Sequence, residues 1–128
     1  MAKILLTLDE MVEIAKRNVK LPAQISNIKA DGDSVDVTID PGSLFPNISA
    51  TATYDYFDDG EVHFNLETNG MIQILLKFIE LPTEEWLKID SDKITININK
   101  LLPKYINGVQ VSDIKYSDGE FSVYTNGV

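Results

Sequence analysis

The sequence predicts a single α+β domain over residues 1–128, in which an antiparallel sheet of about eight strands carries two helices on one face. Three observations predict it. Apolar and polar residues alternate over several stretches, short acidic turn signals separate these stretches, and two other stretches repeat apolar residues at helical spacing. The 44% hydrophobic and 24% charged residues are typical of a folded domain with its own core.

The first helix is predicted to begin at Leu8. Thr7 and Glu10 have the spacing of a capping box, in which each side chain bonds to the backbone of the other residue. Because a proline disfavours the helical conformation in the residue before it, the helix is expected to end before Pro22. The apolar side chains recur on one helix face, at Leu8, Met11, Val12, Ala15 and Val19.

Strands are predicted where apolar residues alternate with polar ones, because alternate side chains of a strand point to opposite faces. The clearest stretches are Val35–Ile39, Val62–Leu66 and Ile94–Ile98. Turns that join such strands are predicted at four acidic signals: Asp31-Gly32, Asp59-Gly60, Asp90-Ser91-Asp92 and Asp118-Gly119. These acidic pairs lack the spacing of a calcium loop.

Two stretches break the alternation by placing apolar residues three apart, at Ile25–Ile28 and Val111–Ile114. One inserted residue has this effect, so a β-bulge is predicted at each. The turn signals also recur at one interval, since Gly32 precedes Ser91 by as much as Gly60 precedes Gly119. This predicts a tandem duplication of a helix plus four strands, roughly 7–67 and 68–128. A competing alignment matches Gln24–Lys29 with Gln110–Lys115 and pairs the first hairpin with the fourth.

A second helix is predicted from about Gly70 to Glu80, capped by Asn69 and stopped by Pro82. It is apolar on nearly all sides, so contact with the sheet alone cannot cover it. Its outer face and the apolar residues of a nearby loop are the predicted partner- or ligand-binding residues: Ile72, Leu76, Ile79, Leu44, Phe45 and Ile48.

The sequence leaves three alternatives for what covers this surface: the chain's own first helix or loop, a protein partner or second copy, and an apolar small molecule. The leading hypothesis is a non-catalytic binding or assembly module that packs against a protein partner or forms a homodimer. The alternative is a binding protein for an apolar, lipid-like molecule, with its pocket between helix two and the sheet. A hydrolase with an acidic site is the third hypothesis.

The C-terminal third carries a resemblance that favours the apolar ligand. It runs through Leu101-Leu102-Pro103, Gly108-Val109, Val111–Ile114 and Asp118-Gly119. These residues, alternating apolar positions followed by a hairpin turn, resemble the end of bacterial phospholipid-binding domains of the tubular lipid-binding type. The resemblance implies a lipid-like ligand and assigns no residue a role.

The charge balance, 11 Lys and Arg against 20 Asp and Glu, gives a net charge of −9 and argues against nucleic-acid partners. No cysteine is present, which excludes disulfides and thiolate chemistry.

The only histidine, His63, is expected on the polar sheet face opposite Asp55 or Thr53, as a solvated residue. No catalytic, cofactor-binding or metal-binding residue is predicted. No stretch is long enough to span a membrane, and a cytoplasmic location is expected.

Overall fold

The computed structural model describes residues 2–40, 46–68, 83–90, 92–106 and 108–127. These residues form a mixed α+β fold with antiparallel strand pairing throughout. The strands are β1 (Ala2–Thr7), β2 (Ile25–Asp31), β3 (Ser34–Ile39), β4 (Ile48–Asp58), β5 (Glu61–Glu67), β6 (Thr83–Glu84), β7 (Leu87–Ile89), β8 (Lys93–Asn97), β9 (Val109–Ser117) and β10 (Glu120–Gly127). The helices are α1 (Leu8–Asn18) and the single turn α2 (Ile98–Leu101), which a 3-10 turn continues over Leu102–Lys104.

The described strands form two sheets, and the prediction of one sheet of about eight strands is wrong. Seven strands lie in the order β2-β3-β4-β5-β8-β7-β6, of which β6 is only two residues long, and three lie in the order β1-β10-β9. The chain leaves the larger sheet after β8 through α2, so the β9–β10 hairpin does not extend that sheet. It pairs with β1 instead, from the opposite end of the chain.

Helix α1 begins at Leu8, as predicted, because the capping box is formed. The Thr7 Oγ1 accepts a hydrogen bond from the Glu10 N–H at 3.1 Å, and the Glu10 Oε1 accepts one from the Thr7 N–H at 3.0 Å. Such a cap stabilises a helix by about 1 kcal/mol. Leu8 and Val12 are buried, which places the predicted apolar face of the helix against the sheet.

The predicted hairpin turns are confirmed at three sites, where β2–β3, β4–β5 and β9–β10 join. Each has residues with the positive φ that tight hairpin turns require, including φ +81° at Gly60 and φ +77° at Gly119. Asp59 and Asp118 also have positive φ, which aspartate tolerates better than most residues. In the fourth turn signal, Ser91 lies outside the described residues.

Both predicted bulges are confirmed. The register between β2 and β3 shifts between Ile25 and Asn27, and the register between β10 and β9 shifts opposite Ser112. The inserted residue is a serine in each case. The Ser26 hydroxyl donates to the Thr38 carbonyl oxygen at 3.3 Å, and the Ser112 hydroxyl donates to the Tyr124 carbonyl oxygen at 3.2 Å.

The tandem duplication is not shown by the arrangement of the strands. The four strands β2 to β5 are consecutive neighbours in one sheet, whereas β7 and β8 belong to that sheet and β9 and β10 to the other. The likeness that does appear in space is between the first and last hairpins, which share the serine bulge. This is the pairing that the competing alignment gives.

The core has two parts. One lies on the inner face of the seven-stranded sheet and includes Ile39, which is 1% exposed. The other joins α1, β5 and the three-stranded sheet around Phe121, also 1% exposed.

The second predicted helix, from Gly70 to Glu80, lies outside the described residues. Within the described ranges, no helix has the length and apolar character needed to cross a membrane.

Candidate functional site

An apolar cavity of about 200 Å³ lies between α1 and the inner face of the seven-stranded sheet. Its helical wall comes from the face of α1 that the sequence predicts to be apolar. Leu8 and Val12 on this wall are 5% and 7% exposed. The side chains of this wall are Leu8, Met11, Val12, Ala15 and, just after the helix, Val19.

The sheet supplies the opposite wall from six of its strands, since Ile25 and Ile28 of β2 also line the cavity. The residues that line it include Val37 on β3, Ala52 on β4, Phe64 on β5, Leu87 on β7 and Ile94 on β8. They share one face because the alternation of each strand and the observed register place them there. Every lining side chain in the described part of the chain is apolar.

The placement of α1 explains why space remains. Among the described elements, α1 packs most extensively on β2, which is an edge strand of the seven-stranded sheet. The helix therefore covers the side of the sheet more than its centre. On the interior strand β4, Ala52 contributes only a methyl group, between Val35 and Leu66 on the neighbouring strands. A helix set toward one edge and a small residue on this interior strand together leave the cavity.

Trp86 is the largest side chain in the lining, and it is the only tryptophan in the chain. It is 7% exposed. Its backbone carbonyl oxygen accepts a hydrogen bond from the Asn97 N–H at 2.8 Å, which fixes the residue beside the end of β8. A buried indole ring in the cavity wall makes its fluorescence a direct reporter of what enters.

A second, polar groove of about 350 Å³ shares part of the wall formed by Trp86, Leu87 and Ile89. Four carboxylates and two ammonium groups line it, from Glu61, Glu84, Glu85, Asp90, Lys88 and Lys100. The groove therefore has a negative balance of charge. In the described segments, no group of three or more His, Asp or Glu side chains is arranged to hold a metal ion.

His63 is packed against a tyrosine rather than a carboxylate. Its ring stacks on Tyr56, with centroids 4.3 Å apart and planes 16° from parallel, and its Nδ1 lies 3.4 Å from the Thr95 Oγ1. The expectation that Asp55 or Thr53 would lie opposite is wrong. A third bulge between Tyr54 and Tyr56 shifts the register, so Tyr56 pairs with His63. A Glu61 carboxylate oxygen lies 4.0 Å from the His63 Nε2.

The structure describes one of the six predicted binding residues. Ile48 is 4% exposed and pairs with Ile39 inside the core. The other five, Ile72, Leu76, Ile79, Leu44 and Phe45, lie outside the described residues. Their docking role therefore stays a prediction.

The cavity lies under helix one, whereas the pocket that the sequence predicts involves a helix outside the described residues, so that prediction stays a prediction. All five residues of the helical wall appear in the predicted apolar face of α1, and Phe64, Ile94 and Ile96 appear in the predicted strand faces. Ala52 was missed as a lining residue. The sequence does contain a signal for the cavity, which is the combination of a wide apolar helix face with an alanine in a strand. A small side chain at that strand position leaves space between helix and sheet unfilled.

Comparisons with protein-family models, with curated proteins and with solved structures find no match to this chain. The cavity is therefore the feature from which a function is inferred.

Proposed function

We propose that this chain is a non-catalytic binding protein for an apolar small molecule, which it holds between α1 and the seven-stranded sheet. The observation that carries the proposal is a cavity of about 200 Å³ whose described lining is wholly apolar. Ligand sites are typically concave and mostly apolar.

The volume is sufficient for a small ligand. An engineered protein cavity of about 150 Å³, lined by similar side chains, stays dry and binds benzene. The cavity here is larger, at about 200 Å³. It has room for a substituted ring or a short branched hydrocarbon.

The energetics also favour a ligand. The cavity is partly open to solvent, and the apolar side chains that face its open space lack packing partners there. An apolar guest recovers dispersion contacts for the lining side chains and thereby stabilises the folded state.

The proposal is tested by titrating the purified chain with p-xylene and following both Trp86 fluorescence and the midpoint of thermal unfolding. A bound guest changes the surroundings of the indole, and it raises the unfolding midpoint because it binds the folded state alone. Absence of both changes would contradict the proposal.

Substitutions at two alanine positions locate the bound guest. Ala52 lines the cavity, whereas Ala50 is equally buried on the same face of β4 but does not line it; each is 4% exposed. Ala52→Ile is expected to abolish the p-xylene response by filling the cavity, while the control Ala50→Ile, or Ala50→Val if the larger side chain prevents folding, retains it. A folded Ala52→Ile variant that binds p-xylene like the wild type would place the guest elsewhere.

A further inference from the structure

We infer that the ligand is a compact, uncharged molecule of hydrocarbon character, and that the cavity rejects charged molecules of the same shape. This inference rests on the proposed function. Three properties of the cavity carry this inference: the chemistry of its wall, the electrostatic field around it and its volume.

The described part of the wall offers no partner for a charge. Among the described lining residues, the only side chain with a nitrogen or oxygen atom is Trp86, whose indole N–H donates a hydrogen bond and carries no charge. An ionised carboxylate or ammonium group taken into such a wall would lose its hydration and gain no counter-ion. That loss is far larger than the gain from burying a hydrocarbon group of ligand size.

The surrounding field acts further against anions. The chain has a net charge of −9, and the neighbouring groove that shares Trp86 carries Glu84, Glu85 and Asp90. An anionic ligand therefore meets repulsion as it approaches the protein. A cationic ligand is attracted to the surface, but it meets the same desolvation cost on entering the cavity.

The volume sets a limit on size. A cavity of about 200 Å³ exceeds the roughly 150 Å³ that holds benzene by only about a third. A substituted ring fits, whereas a long acyl chain would extend outside the cavity. The ligand class is therefore smaller than the phospholipid that the resemblance of the C-terminal third implies.

Three probes of one shape separate these properties at neutral pH: p-xylene, p-toluate and 4-methylbenzylammonium. Each has a benzene ring with a methyl group at one end. The substituent at the opposite end is a second methyl group in p-xylene, a carboxylate in p-toluate and a protonated aminomethyl group in 4-methylbenzylammonium. Titrations followed by Trp86 fluorescence and by calorimetry are expected to show p-xylene binding, with both ions at least about 100-fold weaker. The variant Ala52→Ile serves as the control for binding in the cavity.

The outcomes distinguish the inference from the proposed function. If p-xylene does not bind, the proposed function fails. If p-xylene binds but either ion binds within tenfold of it, and this binding is lost in Ala52→Ile, the cavity accepts charge and the inference about charge is overturned. A fourth probe, 1-dodecanol, tests size, since tighter binding of this long neutral chain than of p-xylene would overturn the limit on volume.

Discussion

The side-chain amide of Asn99 forms two hydrogen bonds with the backbone of Val111. The Asn99 Nδ2 donates to the Val111 carbonyl oxygen at 3.1 Å, and the Asn99 Oδ1 accepts from the Val111 N–H at 2.8 Å. Two antiparallel strands exchange the same pair of bonds. Asn99 thus takes the place of a strand beside β9, and it connects the end of the seven-stranded sheet, through α2, to the three-stranded sheet.

Replacing Asn99 with alanine is expected to lower the free energy of unfolding by about 1–3 kcal/mol, because the buried Val111 loses partners for both backbone groups. Urea denaturation measures the change. The matched control is Asn65→Ala, at an exposed position of β5, which is expected to change stability by less than about 0.5 kcal/mol. Equal effects of the two variants would contradict the structural role of Asn99.

Gly60 lies directly beside this amide. A Cβ atom added at Gly60 would come within 3.0 Å of the Asn99 Nδ2, whereas one added at Gly32 would meet nothing within 4 Å. Both glycines have positive φ, so either Gly→Ala change introduces backbone strain of about 1–2 kcal/mol. Gly60→Ala is expected to cost more than Gly32→Ala, by urea denaturation. The excess should disappear when Asn99 is also alanine, and a double-mutant cycle without coupling would refute the contact.

The cavity predicts opposite effects on stability for two neighbouring alanines of β4. Ala52→Ile adds carbon atoms toward open space and is expected to leave stability unchanged or to raise it by up to about 1 kcal/mol. Ala50→Ile adds the same atoms to a packed site and is expected to cost about 1–3 kcal/mol. Thermal unfolding without ligand measures both. A large loss of stability in Ala52→Ile would show that the space is not available to a side chain.

Tyr116 predicts how stability depends on alkaline pH. Its hydroxyl donates a hydrogen bond to the Asp33 Oδ1 at 2.8 Å. Burial, this bond and the charge of Asp33 raise the pKa of Tyr116 above its ordinary value of 10.0, despite an opposing backbone hydrogen bond from Gly119. A raised pKa means that the folded state favours the protonated phenol. The resulting stability is fully present below pH 10 and is lost as pH rises through the folded-state pKa.

The measurement compares urea midpoints of the wild type and Tyr116→Phe at about pH 8 and at about pH 11. The wild type is expected to lose more stability over this interval, because phenylalanine has no proton to release. Some loss will remain in the variant, since burial and the charges of Asp113 and Asp55 also raise the pKa of Tyr54. A variant that loses as much stability as the wild type would exclude the Tyr116 contribution.

Local features of this fold could be predicted from the sequence because they depend on residues close together in the chain. The start of α1 follows from Thr7 and Glu10, which bond to each other across one helical turn. The bulge at Ser112 follows from the apolar spacing around it. The turn at Gly60 follows from an Asp-Gly pair with positive φ. Each is decided by the chemistry of a few neighbouring positions.

Features that depend on distant residues could not be predicted in this way. Strand β1 contains three consecutive apolar residues and so shows no alternation, and its partner β10 lies at the other end of the chain. The bulge beside Tyr56 has no mark in the apolar spacing, so the neighbour of His63 was predicted wrongly. The cavity depends on where α1 rests on the sheet. That position follows from the packing of the whole domain, which no local pattern records.

The pairing of β1 with β10 has a consequence for biosynthesis. Ala2 pairs with Thr125 and Leu6 with Phe121, so the strand that leaves the ribosome early bonds to the strand that leaves it late. Ile4 and Leu5, about half exposed even after this pairing, lack their β10 neighbours until β10 has been synthesised. Closing this long loop is slow, and unpaired apolar strands are prone to aggregate. A nascent chain that stalls before Glu120 would therefore expose the apolar residues of β1 to chaperones and to other nascent chains.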